Sequence, residues 1–164
     1  MTKLVKYLSV FLVSMVPLIE IRGSIVMASG WWQAGTMTMN EFIVCCGLAI
    51  LGNMLPVPII FFFARKVLEW GRDKKIIGKF FNFCLEKGEK GGEKLQEKAG
   101  RGLYFALFLF VGIPLPGTGA WTGTLAASIL DMDFKKSVTA IICGVFLAGI
   151  IMGLISTGLF AIAL

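Results

Sequence analysis

Glu20 and Arg22 are the residues best placed to do chemistry in this sequence, because both stand inside an apolar stretch. Ionisable side chains within a membrane segment are costly and mark functional sites by default. Arg22 can clamp a phosphate or carboxylate through its planar fork, and a desolvated Glu20 can carry a coupling proton. Pro17 and Gly23 bracket the pair, so extended backbone is expected there, which points residues i and i+2 the same way. The alternative is a mutually neutralising structural pair.

A second constellation is Ile113-Pro-Leu-Pro-Gly-Thr-Gly-Ala-Trp-Thr-Gly123. Thr118-Gly119 falls where a helix should begin. A helix start offers free N–H groups and partial positive charge, an anion site without a basic residue. Thr118 is the expected N-cap. Thr122 and Thr124 add hydroxyls and Trp121 a wedge or lid, while Gly117, Gly119 and Gly123 let backbones approach. The alternative is that these residues only pack two chain segments together. Asn53 is the strongly polar side chain of another apolar run, read either as an interhelical hydrogen bond or as a cavity-lining group. Two look-alikes fail: no GK[ST] follows the glycines, and the LPxTG pattern at Leu115–Gly119 is not near a C-terminus.

These residues need a membrane to hold them. The chain has 164 residues, 57% of them hydrophobic, and a mean hydropathy of +0.83, more apolar surface than a soluble domain of this size can bury. Residues 7–32 are two short apolar arms around the Pro17–Ser24 break. Residues 102–130 repeat the plan, with arms 102–113 and 119–130 around 114–118. Each of these later arms gives about 18 Å of helix, little over half of a hydrocarbon core of about 30 Å. That suits a re-entrant hairpin; the competing reading is one kinked crossing. Residues 42–64 and 137–164 are full spans, the first loosened by Pro56 and Pro58, the second tilted or broken near Gly158. Ala28-Ser-Gly30 could pass as a signal-peptide cleavage site, but Glu20 and Arg22 speak against it.

Residues 65–101 hold most of the 16 Lys and Arg, which also give a net charge of +6. Ile76, Ile77, Phe80, Phe81, Cys84 and Leu85 recur at helical spacing among lysines, as in an amphipathic helix on anionic lipid. The expected fold is therefore all-α integral membrane, a single domain of two inverted repeats. Each repeat is a re-entrant hairpin plus a transmembrane helix, joined by the amphipathic linker. Inverted repeats with broken helices at mid-membrane are common in secondary transporters. Lys and Arg in the linker put it on the cytoplasmic side. Lys135 and Lys136 favour re-entrance; Lys3 and Lys6 favour a crossing.

With no His, no reactive Cys setting and no second intramembrane carboxylate, an enzyme is not expected, nor a metal or cofactor. The basic face is the membrane kind rather than a nucleic-acid footprint. Gly149-Ile-Ile-Met-Gly153 is a GxxxG, read as packing within this chain, with a homodimer seam as the alternative.

Pro17-Leu-Ile-Glu-Ile-Arg-Gly-Ser, the Lys-rich linker and above all Ile113–Gly123 resemble the small multidrug export family of bacterial membrane proteins, over nearly the whole chain. Val26 stands where that family has a second Pro in the first break. The plan is also similar to the DedA superfamily. The first resemblance implies export of small toxic compounds, the second transport of anionic lipids such as polyprenyl phosphate, or proton-coupled transport.

The expected function is a small multi-pass transporter of the bacterial cytoplasmic membrane, ion- or proton-coupled, moving an anionic headgroup. Its mid-membrane site would comprise Glu20, Arg22, Asn53, Gly117, Thr118, Gly119, Trp121 and Thr122. The alternatives are an exporter of cationic or hydrophobic compounds and a non-transport assembly protein.

Overall fold

The computed structural model describes residues 2–72 and 101–158, and these contain helices and no strand. The amphipathic stretch expected at 74–85 and the end of the last span lie outside the described residues. We number the helices α1 (Lys3–Met15), α2 (Glu20–Gln33), α3 (Met39–Met54), α4 (Pro56–Arg72), α5 (Arg101–Gly112), α6 (Ala120–Ile129) and α7 (Phe134–Ser156).

Punctuation in the sequence sets these bounds. Pro17 has no N–H to continue α1, and the chain turns with Leu18 at φ 70° and Glu20 at φ 50°. Thr38 and Glu41 form a reciprocal capping box on α3. Asp133 caps α7 by accepting from the Lys136 N–H at 2.9 Å. Pro56 parts α3 from α4 at Leu55, as the two prolines led one to expect, and α7 stops before Gly158, which has φ 75°.

Two expectations are corrected. Residues 20–22 are not extended but form the first turn of α2. Only Glu20, in the left-handed region, departs from helical geometry. The first break is also shorter than the sequence suggested, because α2 begins at Glu20, and the first arm is longer, because α1 reaches back to Lys3. Lys3 and Lys6 are accommodated through their partners. Lys3 pairs with Glu41 at 2.6 Å, and Lys6 donates to the Thr36 carbonyl beneath the Trp31 ring, 5.8 Å from its centroid.

The packing has a reciprocal pattern. α1 packs on α3 and α5 on α7; α2 packs on α7 and α6 on α4. Each long element thus carries the first arm of its own half and the second arm of the other. One contact recurs almost atom for atom. A Cβ on Gly52 would lie 2.4 Å from the Phe11 carbonyl oxygen and 2.2 Å from Ser14 Oγ. A Cβ on Gly144 would lie 2.8 Å from the Phe108 carbonyl oxygen and 2.7 Å from Val111 Cβ. The arms met by these glycines read Phe11-Leu-Val-Ser-Met-Val-Pro17-Leu18 and Phe108-Leu-Phe-Val-Gly-Ile-Pro114-Leu115, with Phe-Leu and Pro-Leu at matching spacing.

Ile21, Ile25, Ala49, Val111, Ala120, Ile141 and Val145 form the centre of the core. Leu51, Ile59, Phe63, Phe105, Phe146 and Ile150 point outward and are at least half exposed. So large an apolar surface would aggregate in water and suits lipid. Met39–Ala64 and Phe134–Ser156 are long and apolar enough to cross a bilayer. Gly149 of the GxxxG faces Ile21 and Ile25 of the same chain, whereas Gly153 faces open space.

Gly52→Ala should destabilise the protein by about 1–3 kcal/mol through overpacking against backbone. Gly153→Ala should be neutral or better, as a helical Ala replaces Gly without a clash. Thermal unfolding in detergent separates the two.

Candidate functional site

The two breaks meet. Met15 ends α1 and Glu20 begins α2; Gly112 ends α5 and Ala120 begins α6. Between these ends lie the tips, 16–19 and 113–119, and their polar groups answer one another.

The start of α6 exposes N–H groups and the positive end of the helix dipole. Glu20, only 3% exposed, fills that position. Its Oε2 accepts from the Ala120 N–H and its Oε1 from the Trp121 N–H, each at 3.0 Å. Gly119, at φ 140°, is the N-cap residue and makes no side-chain cap. Its missing side chain makes room for the carboxylate, since a Cβ there would lie 2.1 Å from Glu20 Oε2. The expectation of Thr118 as N-cap is therefore corrected: a carboxylate from another helix does that work.

Arg22 holds the other tip. Its guanidinium donates to the Leu115 carbonyl, to the Ile113 carbonyl at 3.5 Å and to Thr118 Oγ1 at 2.7 Å. The Ile113 and Leu115 carbonyls also accept within the tip, from the Leu115 N–H at 2.8 Å and the Thr118 N–H at 3.2 Å respectively, so Arg22 adds donors to a turn in which Pro114 and Pro116 supply none. The Thr118 hydroxyl lies 2.9 Å from the Ile113 oxygen and 2.8 Å from the Leu115 oxygen, and donates its one proton to either. The Trp121 indole N–H donates to the Met15 carbonyl at 3.2 Å, so it closes the end of α1.

A cavity of about 300 Å³ opens beside this latch. Glu20, Thr118, Trp121 and Thr122 line it with Leu18 and Ile60. Gly117 lies on its wall, while Arg22, Gly119 and Asn53 do not line it. Asn53 is fully buried, and neither atom of its amide has a hydrogen-bond partner among the described residues, so the interhelical bond expected of it is absent there. Sequence reasoning missed Ile60, whose apolar run carries no sign of where it points, and the Met15 carbonyl, which Pro17 could have betrayed. Among the described residues no cluster of His, Cys, Asp or Glu could hold a metal.

Residues 20–151 match the profile of a protein family described as "Putative small multi-drug export protein". The chain belongs to that family. The matched span runs from Glu20 through the second tip and most of α7, so it includes Glu20, Arg22, Thr118 and Trp121 but not the first tip or Met15. With its two span-length apolar helices, this member is a membrane protein. No curated protein and no solved structure matches it.

Glu20→Ala should leave two buried N–H groups unpaired, at about 1–3 kcal/mol each, and Gly119→Ala should be comparably damaging because both its Cβ and its φ are disallowed. Thermal melting should rank both variants well below Thr122→Ser, which keeps its hydroxyl.

Proposed function

We propose that this protein exports small amphipathic cations through the cavity beside the Glu20–Arg22 latch. The observation that carries this reading is the division of labour between the two charges. Glu20 lines the cavity, whereas Arg22 does not, and its donors are taken up by the Leu115 and Ile113 carbonyls and the Thr118 hydroxyl. A carboxylate on an otherwise largely apolar wall suits a cation carrying an apolar body. The family description agrees with it. An anionic headgroup, the substrate class first expected, would need the α6 helix start and Arg22, and both are engaged by the chain's own oxygens. That route requires the substrate to displace Glu20.

The architecture we propose for this task is a pair of inverted repeats with re-entrant hairpins α1–α2 and α5–α6. Reciprocal packing of the arms supports it. So does the placement of ends: Lys6 reaches Thr36, so hairpin one opens at the start of α3, and Tyr104 Oη accepts from the Asp133 N–H at 3.4 Å, so hairpin two opens at the start of α7. Two hairpins opening to opposite faces would bring their tips together at mid-membrane, with the cavity between the two leaflets. Cytoplasmic residues 65–101 would rest on anionic lipid in the bacterial cytoplasmic membrane. Coupling to an ion or proton is part of the same proposal.

In proteoliposomes, Glu20→Gln should abolish ethidium efflux while the protein still inserts and runs as a monodisperse species. Full efflux in that variant would refute the role given to Glu20, and no efflux by the parent would refute the export reading. Translocation of a polyprenyl phosphate, with no ethidium efflux by the parent, would favour the anionic one. A cysteine at Lys135, in a background lacking Cys45, Cys46, Cys84 and Cys143, should react only with membrane-permeant reagents in intact cells; labelling from outside would sink the inverted-repeat arrangement.

A further inference from the structure

The joint between α3 and α4 carries polarity that the fold does not require. Matching the Gly52 and Gly144 contacts places Ser14 opposite Val111 and Asn53 opposite Val145. Val111 and Val145 are buried, so this packing is made with apolar side chains in one half. In the other half Ser14 and Asn53 occupy the corresponding places at 0% exposure. Both amide atoms of Asn53 lack a partner, which costs about 1–3 kcal/mol per group when buried.

The oxygens around Asn53 are short of donors as well. A helical carbonyl accepts from the N–H four residues on. Gly52 and Met54 would look to residues 56 and 58, and both are proline, which has no N–H. Leu55, between them, donates to Leu51 at 3.1 Å. Gly52 and Met54 thus present two oxygens without their helical donors, one on each side of Asn53, at the C-terminal end of α3, where the helix dipole is negative. Gly52 itself abuts the Phe11 carbonyl and Ser14 Oγ near the end of α1, a second negative helix end.

We propose that Asn53 Oδ1, with the Gly52 and Met54 carbonyls, binds a small monovalent cation such as sodium. Helix C-termini and interrupted backbone supply oxygen ligands of this kind at mid-membrane. The ligands are neutral, so they do not provide the carboxylates that divalent cations draw on. Binding stands on this geometry alone; only a role for the ion in driving export rests on the function proposed above.

Thermal unfolding of the full-length protein in detergent, without substrate, tests it. Sodium chloride should raise the melting temperature saturably over choline chloride at equal ionic strength, since a ligand that binds only the folded state stabilises it. Asn53→Val, which copies the Val145 side, should raise the half-saturating sodium concentration about tenfold to a hundredfold. Asn53→Asp, which keeps the oxygen and adds charge, should lower it and provides the decisive comparison if the Val variant does not fold. Glu20→Gln should retain the sodium response whether or not it exports ethidium, so the two proposals fail separately. Equal melting in sodium and choline would overturn the cation site and leave a buried water as the partner of Asn53. An unchanged sodium response in Asn53→Val or Asn53→Asp would overturn it too.

Discussion

Backbone groups at a broken helix have lost their own partners, and everything at the centre of this protein follows from that. Each of the first two helix pairs of the halves is interrupted where α1 meets α2 and α5 meets α6. Interruption frees N–H groups on one side and carbonyls on the other, and in lipid each must find a partner within the protein. Here they find it across the two halves. Glu20 at the start of α2 receives the N–H groups at the start of α6, Arg22 covers the Leu115 and Ile113 carbonyls of the second tip, and Trp121 covers the last carbonyl of α1. One acid, one base and one indole thus solve the same problem three times.

This mutual satisfaction explains why strain is tolerated. Leu18 and Glu20 hold left-handed backbone without being glycine, at about 1–3 kcal/mol each. The turn alone would relax. Two hydrogen bonds to Glu20 and the turn bond from the Glu20 N–H to the Val16 carbonyl at 2.9 Å hold it in place. On the other side the strain falls on Gly117 and Gly119, at φ 81° and 140°, where it is cheap. The two tips are therefore not copies. One brings charge and bears strain, and the other brings helix ends and glycine.

Much of this was legible from residue types. Pro17 and the Pro114–Pro116 pair announced the breaks, because a ring without an N–H stops a helix whatever surrounds it. Glu20 and Arg22 stood out because charge in an apolar run needs a reason. What could not be read was the destination of each side chain. Thr118 has the composition of an N-cap, yet the carboxylate of Glu20, 100 positions from the Ala120 N–H it accepts, takes the place instead. Extended backbone at 20–22 seemed to follow from its flanking residues, but α2 packs against both α3 and α7, and that burial carries the helix back to its first possible turn. Asn53 shows the same limit. Its type implies a partner, and only the three-dimensional arrangement reveals that no side chain or backbone group supplies one.

The bond from Trp121 to Met15 spans 106 positions of sequence, and the others in the latch span 91 to 101. A chain is made from its N-terminus at about 5–20 residues per second, so the first tip exists for roughly 5–20 s before its partners are synthesised. During that interval Glu20 and Arg22 have no second tip to bind, and hydrocarbon is a poor place for them to wait. Completion of the latch therefore belongs after translation of residue 121. Until then the first break lacks the groups that satisfy it, and the last third of the protein decides when the first part reaches its final form.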